Sequence, residues 1–326
     1  MSMESKKRMD AVITWVDGSD PAHQAKMAPF LSSSTQKNHS AAATRFANCG
    51  EIEFCVMSLV RFAPWVETIY IVTDDQQPAF LASIKDPALR QRISVIDHRQ
   101  LFKGYEFALP VFNSLAIEAM LWNIPGLSDD FIYLNDDMML TKPTPIEAFR
   151  TDEHYVLKGN MKPRKSKVWW YQLKRLFTKD ESASRVNYWQ VQEKSAATIS
   201  DSRNYLDLPH CPHVLNRSTL KLFFERNPDK LVQTISCKFR DSKQLWSVSL
   251  FVHSVLASGQ AKINNYFKSI NIKADKYNRE KIAVLLDRAE HQADHYFIVI
   301  QSLDMATPDN RDFILRWLRR IVRKEG

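Results

Sequence analysis

Glycine is scarce in this chain, at 7 of 326 residues. Neither G-x-G-x-x-G nor a Walker A stretch occurs, which argues against a nicotinamide enzyme or a P-loop nucleotidase. This points towards phosphate bound by a metal and basic side chains. Cysteine is scarcer still. Cys49, Cys55, Cys211 and Cys237 form no C-x-x-C pair, so reduced thiols in a cytosolic protein are expected and a zinc site is not. No apolar run approaches the roughly 18 residues of a membrane span. The stretch Met1 to Asp10 is charged and polar and has no apolar core of a secretory signal, which predicts a cytoplasmic protein.

The rest of the composition is that of a globular enzyme-sized chain, 44% hydrophobic and 25% charged, able to bury a large core. The net charge of +8 is uneven. Lys162, Arg164, Lys165, Lys167, Lys174 and Arg175 crowd one stretch, and Arg311, Arg316, Arg319, Arg320, Arg323 and Lys324 crowd the last one. Such clusters suit a polyanion: nucleic acid, anionic lipid or a phosphate-bearing polymer.

The pattern along the chain predicts an α/β fold. Asp10 to Val16 is a β-branched run ended by the turn Asp17-Gly18-Ser19-Asp20-Pro21. Pro29 to Ser40 is Ser-rich and predicts a mobile surface loop. Glu51 to Phe62 places Ile52, Cys55, Val56 and Leu59 on one helical face. Thr68–Val72 and Arg92–Ile96 read as strands that run into Asp74-Asp75 and Asp97-His98. Ser114–Trp122 reads as a helix, and Phe131-Ile132-Tyr133-Leu134 as a buried strand ending in Asn135-Asp136-Asp137. Strands alternating with helices and ending in polar residues predict a Rossmann-like parallel sheet with helices on both faces. Residues 1–150 form that part. A basic, aromatic-rich and helical insertion with Trp169-Trp170-Tyr171 follows at 151–205. Residues 206–326, with helices at Arg217–Glu225 and Leu245–Ala257 and a strand at Tyr296–Ile300, complete the same domain. A basic amphipathic helix after Thr307-Pro308 ends it.

Acidic strand ends are the first candidates for chemistry: Asp17 and Asp20, Asp74 and Asp75, Asp97, Asp136 and Asp137. Converging at one sheet edge, they would hold Mg²⁺ or Mn²⁺ and the hydroxyls of a nucleotide-sugar. A solvated loop after a core strand is the alternative. His210 and His213 flank Pro212, and an imidazole there suits proton transfer from a hydroxyl, with a structural histidine or a metal-binding pair as alternatives. Arg240 suits bidentate phosphate binding, with a surface ion pair to Asp241 as its plainer role.

Four blocks then resemble the Stealth family, which includes bacterial capsular polysaccharide phosphotransferases and the catalytic part of animal GlcNAc-1-phosphotransferase. The first is Ile13-Thr14-Trp15-Val16-Asp17-Gly18-Ser19-Asp20-Pro21. The second runs through Phe62 to Val66, Ile69 to Asp74, Val95 to His98, Phe112 to Ala119, Ile124 to Leu127 and Phe131 to Asp137. The third holds His210-Cys211-Pro212-His213 and Phe239-Arg240, and the fourth, weaker, lies around His295 to Asp304. The resemblance implies transfer of a sugar-1-phosphate from a UDP-sugar, UDP-GlcNAc on family grounds, to a saccharide or phosphosaccharide hydroxyl, with release of UMP. It implies Asp137, with Asp136, as metal ligand and Glu118 in the same acidic site. It implies His210 as base, with His213 beside it, and Arg240 as phosphate-binding residue. Asp17, Arg45, Asp74, Asn113 and Ser114 fall in blocks that line the donor pocket. Two departures stand out. Ile300-Gln301-Ser302 aligns where the family has Leu-Asn-Asp, which makes Gln301 the candidate to complete the metal shell. Gln244 stands where the family has an Asp.

The competing enzyme reading is a metal-dependent glycosyltransferase that attacks the anomeric carbon and releases UDP. A non-catalytic polyanion-binding module is the reading from another class. Neither enzyme reading requires nucleic acid. The last helix, with Ile314, Trp317, Leu318 and Ile321 on one face, either packs on the core or attaches peripherally to an anionic inner membrane surface.

Overall fold

The computed structural model describes residues 8–33, 49–167 and 188–323. Arg45, Lys174, Arg175, Lys324 and the Trp169-Trp170-Tyr171 run lie outside them.

The strands are β1 (Met9–Thr14), β2 (Val66–Thr73), β3 (Ile93–Asp97), β4 (Asp130–Asn135), β5 (Met138–Leu140), β6 (Tyr155–Leu157), β7 (Asn160–Pro163), β8 (Asn204–Asp207), β9 (His213–Asn216), β10 (Ala261–Ile263), β11 (Lys268–Lys273) and β12 (His295–Gln301). The main sheet runs β3-β2-β1-β4-β9. Its first four strands are parallel, and β9 is antiparallel to β4. The runs of Val and Ile read as buried strands, and they are: Val12, Ile13, Ile71, Val72, Ile132 and Leu134 are all in the core. Parallel strands covered on both faces need such continuous apolar sequence. The α/β sheet expected from the alternation is present.

A second sheet decides where the site lies. After Asp136-Asp137 the chain turns into β5, which pairs antiparallel with β12, while β12 pairs parallel with β11. The Ile300 amide donates to the Asp137 carbonyl at 3.0 Å, extending this ladder to the acidic turn. Gln301, at the far end of a strand 164 residues away in sequence, is thereby held beside it. Ser302 follows with φ +56, a left-handed conformation uncommon without glycine, and turns the chain sharply after Gln301.

Several expectations change in detail. The helix Glu51–Phe62 has the expected ends. Pro29 to Ser33 lies in the helix Pro21–Ser33 rather than in a loop, and the remainder of that Ser-rich stretch lies outside the described residues. The helix at Ser114 closes after Glu118, then passes through a turn and a short 3₁₀ segment, Leu121–Asn123. The apolar residues there pack against the core without needing helical spacing.

The final helix, Pro308–Val322, is capped by the Thr307 side chain. Ile314, Trp317, Leu318 and Ile321 are buried, whereas Arg316, Arg319 and Arg323 are exposed. Arg320 forms a two-pronged ion pair with Glu290 at 2.6 Å. The apolar stripe is spent on the core, which is the packed alternative. No helix among the described residues is long and apolar enough to cross a membrane.

Candidate active site

A cavity of about 700 Å³ opens at the carboxyl ends of β1 and β4, the expected position in an open α/β sheet. Asp136, Asp137, Asn113, Ser114, Glu118, His210, His213, Arg240 and Gln301 all line it. Residues from β4, the Ser114 helix, the bend before β9, the Arg240 loop and β12 meet there. They come from positions up to 188 apart in sequence, so only the tertiary fold unites them.

One wall is built around Arg240. Asn113 caps the Ser114 helix, its side-chain oxygen accepting from the Ala116 amide at 3.0 Å. The same oxygen accepts from Gln244 Nε2 at 3.0 Å, and Asn113 Nδ2 donates to the Cys237 carbonyl at 2.6 Å. Gln244, buried, also donates to the Thr234 carbonyl at 2.8 Å. The glutamine in the family's aspartate position is therefore a strut that clamps the 237–244 loop to the Ser114 helix. Thus held, Arg240 donates to Ser114 Oγ at 2.8 Å rather than to Asp241. Asp241 instead accepts from the Lys243 amide at 2.8 Å.

Glu118 lies behind Arg240. It is buried, and the Trp246 indole donates to it at 2.6 Å. Burial raises its pKa to about 7, against the lowering influence of the Arg240 charge and of hydrogen bonds from Trp246 and Ser114.

Another part of the lining carries His210. Its Nε2 is 3.1 Å from Asn135 Nδ2 and 3.9 Å from Asp137 Oδ1, and its Nδ1 is 3.1 Å from the Gln301 amide. The Ser269 hydroxyl donates to its backbone carbonyl at 3.1 Å. His213 differs in kind. It is buried, burial lowers its pKa to about 3, and its Nε2 is 3.1 Å from the Pro209 carbonyl. A neutral imidazole donating there holds the Pro209–His213 bend closed.

The acidic floor is Asp136 and Asp137. Burial raises both pKa values. For Asp136 the neighbouring Asp137 and Glu51 add to that rise, while for Asp137 the His210 charge opposes it. Asp137 Oδ1 has no hydrogen-bond partner. Such an oxygen is costly unless a cation or proton meets it. Among the described residues, no three His, Cys, Asp or Glu side chains form a ready cage for a metal. A magnesium site does not require one, since one or two carboxylates with substrate phosphates suffice. The donor set fits such a cation through Asp137.

The other acidic strand ends do not converge on the cavity. Asp17 Oδ1 accepts from the Ser19 amide and hydroxyl in its own turn. Asp20 accepts from the Ala22 amide and Gln76. Asp97 caps the following short helix and accepts from the Asp75 amide. Asp74 lies behind the cavity wall, 3.2 Å from Lys26 and 3.4 Å from His23. Burial would raise its pKa, but the close approach of His23 and the charges of His98 and Lys26 prevail and hold it at about 2. Short carboxylates at strand ends are strong turn and cap formers, and that need absorbs most of them. Of the further acidic and histidine residues on the lining, His98 and Asp304 fall within the second and fourth blocks but were not singled out for the site, and His23 had no periodic or motif signal of its own. Glu51 stood at a helix start.

Two family models match: Stealth protein CR1, conserved region 1, over residues 7–35, and Stealth protein CR2, conserved region 2, over residues 45–157. Receptor polysaccharide phosphotransferase WefC of Streptococcus oralis is 30% identical over 79% of this chain and 81% of its own length. An exopolysaccharide phosphotransferase of Streptomyces coelicolor is 30% identical over 93% of this chain, which spans only 31% of that longer protein. Among solved structures, the galactosyltransferase LgtC with donor and acceptor sugar analogs aligns over 96% of this chain and 95% of its own, at 11% identity and a TM-score of 0.44. The chain belongs to the Stealth family, a family of transferases.

Proposed function

We propose that this chain transfers a hexose-1-phosphate, GlcNAc-1-phosphate on family grounds, from a UDP-sugar to a hydroxyl of a saccharide acceptor. The product is a phosphodiester link of a capsular or other cell-surface polysaccharide, and UMP is released. One observation carries the reading: a single cavity of about 700 Å³ holds an imidazole, an arginine and a carboxylate oxygen with no hydrogen-bond partner. Its volume lies in the range of small-molecule pockets.

In-line phosphoryl transfer depends on positioning and charge stabilisation more than on covalent help from the protein. Arg240, held by its hydrogen bond to Ser114, donates to the non-bridging oxygens of the donor's β-phosphate. His210 takes the proton of the acceptor hydroxyl as that oxygen bonds to the β-phosphorus. The bond between the two phosphates breaks, and the sugar keeps its phosphate and its anomeric configuration. A Mg²⁺ or Mn²⁺ ion, held by Asp137 with Asp136 next to it, would supply neutralisation of the diphosphate charge. A glycosyl transition state is cationic at the sugar, so an arginine set against it would oppose the reaction. On the rival reading Arg240 would instead serve the departing UDP, so the nucleotide released is what separates the two. On this reading the enzyme acts in the cytoplasm, and any contact with an anionic membrane is made by exposed Arg316, Arg319 and Arg323, not by the buried apolar stripe.

The decisive experiment supplies UDP-GlcNAc, Mg²⁺ and an oligosaccharide acceptor. UMP is expected in proportion to a phosphodiester signal by phosphorus NMR, and Arg240→Ala is expected to suppress both. UDP as the main nucleotide, with no phosphorus in the polymer, overturns the proposal in favour of a glycosyltransferase.

A further inference from the structure

His210 has a side-chain amide at each ring nitrogen. Asn135 Nδ2 lies 3.1 Å from Nε2, and the Gln301 amide lies 3.1 Å from Nδ1. A neutral imidazole has one N–H and one lone pair, so the two amides cannot both donate to it. One of them has to present its oxygen.

Asn135 is the less free to do so. Its Oδ1 accepts from the Tyr133 hydroxyl at 2.9 Å and from the Thr14 hydroxyl at 3.4 Å. Those two hydroxyls are themselves 3.0 Å apart, so a small network holds the oxygen and turns the NH₂ towards His210. The Gln301 side chain has no other hydrogen bond among the described residues. Its amide can turn end for end with almost no change of shape, because oxygen and NH₂ are nearly the same size. Its backbone, by contrast, is held: Gln301 accepts from the Ala274 amide at 3.0 Å, and the preceding residue donates to Asp137.

We infer that Gln301 is a positioning residue for the base: its Oε1 accepts from His210 Nδ1–H, leaving the lone pair on Nε2. That is the nitrogen 3.9 Å from Asp137 Oδ1. The inference rests on the reading of His210 as the base, and it gives Gln301 a task on the imidazole in place of the metal shell. The acceptor hydroxyl displaces the Asn135 NH₂ at Nε2 and gives its proton there as its oxygen bonds to phosphorus and the bond to UMP breaks. The charge that develops on the ring is met at Nδ1–H by the Gln301 oxygen.

The test reads the ring directly. In the whole protein without metal or substrate, at a pH where the imidazole is neutral, long-range proton–nitrogen NMR distinguishes the two tautomers. The His210 signals are identified by their loss in His210→Gln. The Nδ1–H pattern is expected. Asn135→Asp, which offers only acceptor oxygens to Nε2, is expected to invert it. In turnover, Gln301→Met should lower kcat by about ten- to a hundredfold, the usual cost of losing an orienting partner, with the donor KM little changed. Gln301→Glu, which keeps an acceptor, should restore most of it. An Nε2–H tautomer in the unaltered protein, or a Gln301→Met enzyme with full kcat, overturns the inference. The NMR arm stands apart from the chemistry: Nδ1–H in a protein that releases UDP supports the tautomer and refutes the phosphotransferase reading.

Discussion

Replacing Glu118 by Gln should make the protein more stable at pH 8 and leave it unchanged near pH 4. Glu118 is 4% exposed, and burial lifts its pKa from the ordinary 4.5 to about 7. A carboxyl with a raised pKa in the folded state binds its proton more tightly there than in the unfolded chain. Its ionisation therefore costs nothing below the unfolded value. The cost accumulates between pH 4.5 and 7 and is complete above that window. At roughly 1.4 kcal/mol per pH unit, the full penalty is about 3 kcal/mol. Glutamine keeps the shape and an oxygen for the Trp246 indole, and it never ionises. Urea unfolding of the parent and Glu118→Gln at pH 4, 6 and 8 should show the stability difference growing in the variant's favour across that interval. Arg240→Ala removes the largest influence opposing the rise, so in that background the upper end of the window should move to higher pH while the lower end stays. A difference that stays flat from pH 4 to 8 would refute the assignment of Glu118 as a buried, raised carboxyl.

Asp137→Ala should abolish turnover with little change in the unfolding temperature at neutral pH, because Oδ1 of the deleted carboxylate has no hydrogen-bond partner in the fold. Activity should likewise vanish in excess EDTA and return with Mg²⁺ or Mn²⁺, and full activity in the chelator would sink the metal assignment. His210→Ala should cut kcat about a hundredfold or more, whereas His213→Ala should act chiefly on stability through the lost contact with Pro209, by about 1–3 kcal/mol. Steady-state kinetics beside thermal melts separates the two, and reversed effects would mean the roles are exchanged. Gly159→Ala should destabilise by about 2 kcal/mol or more, measurable by urea unfolding. Its φ is +143, and a methyl there would meet the Asp207 carbonyl oxygen at 2.6 Å.

The elements that hold the site were largely legible in the sequence because their signals are local. Continuous apolar runs marked β1, β2 and β4, and the amphipathic spacing of Ile52, Cys55, Val56 and Leu59 marked both ends of its helix. Asp136-Asp137 stood out because carboxylates directly after a core strand are unusual without a purpose. The short strands β5 to β9 were not legible. At three or four residues each, they have too little period to distinguish from loop, and their pairing with distant partners is what makes them strands.

The sequence alone determined the inventory: a parallel sheet, an acidic strand end, a histidine bend and an arginine, together with motifs specific enough to indicate a family. Which of those groups meet was settled only by the tertiary structure. Asp17, Asp20 and Asp97 look equivalent to Asp137 in the sequence, yet the fold uses them in turns and caps and leaves Asp137 Oδ1 without a hydrogen-bond partner. His210 and His213 are three residues apart and both reach the cavity, but one is held between two amides and the other is buried on a carbonyl. The physical reason is the same in both cases. A side chain's chemistry depends on which polar groups reach it and on how much water is excluded. Both are fixed by contacts between segments far apart in the chain, such as the ladder from β5 to β12 that sets Gln301 beside His210.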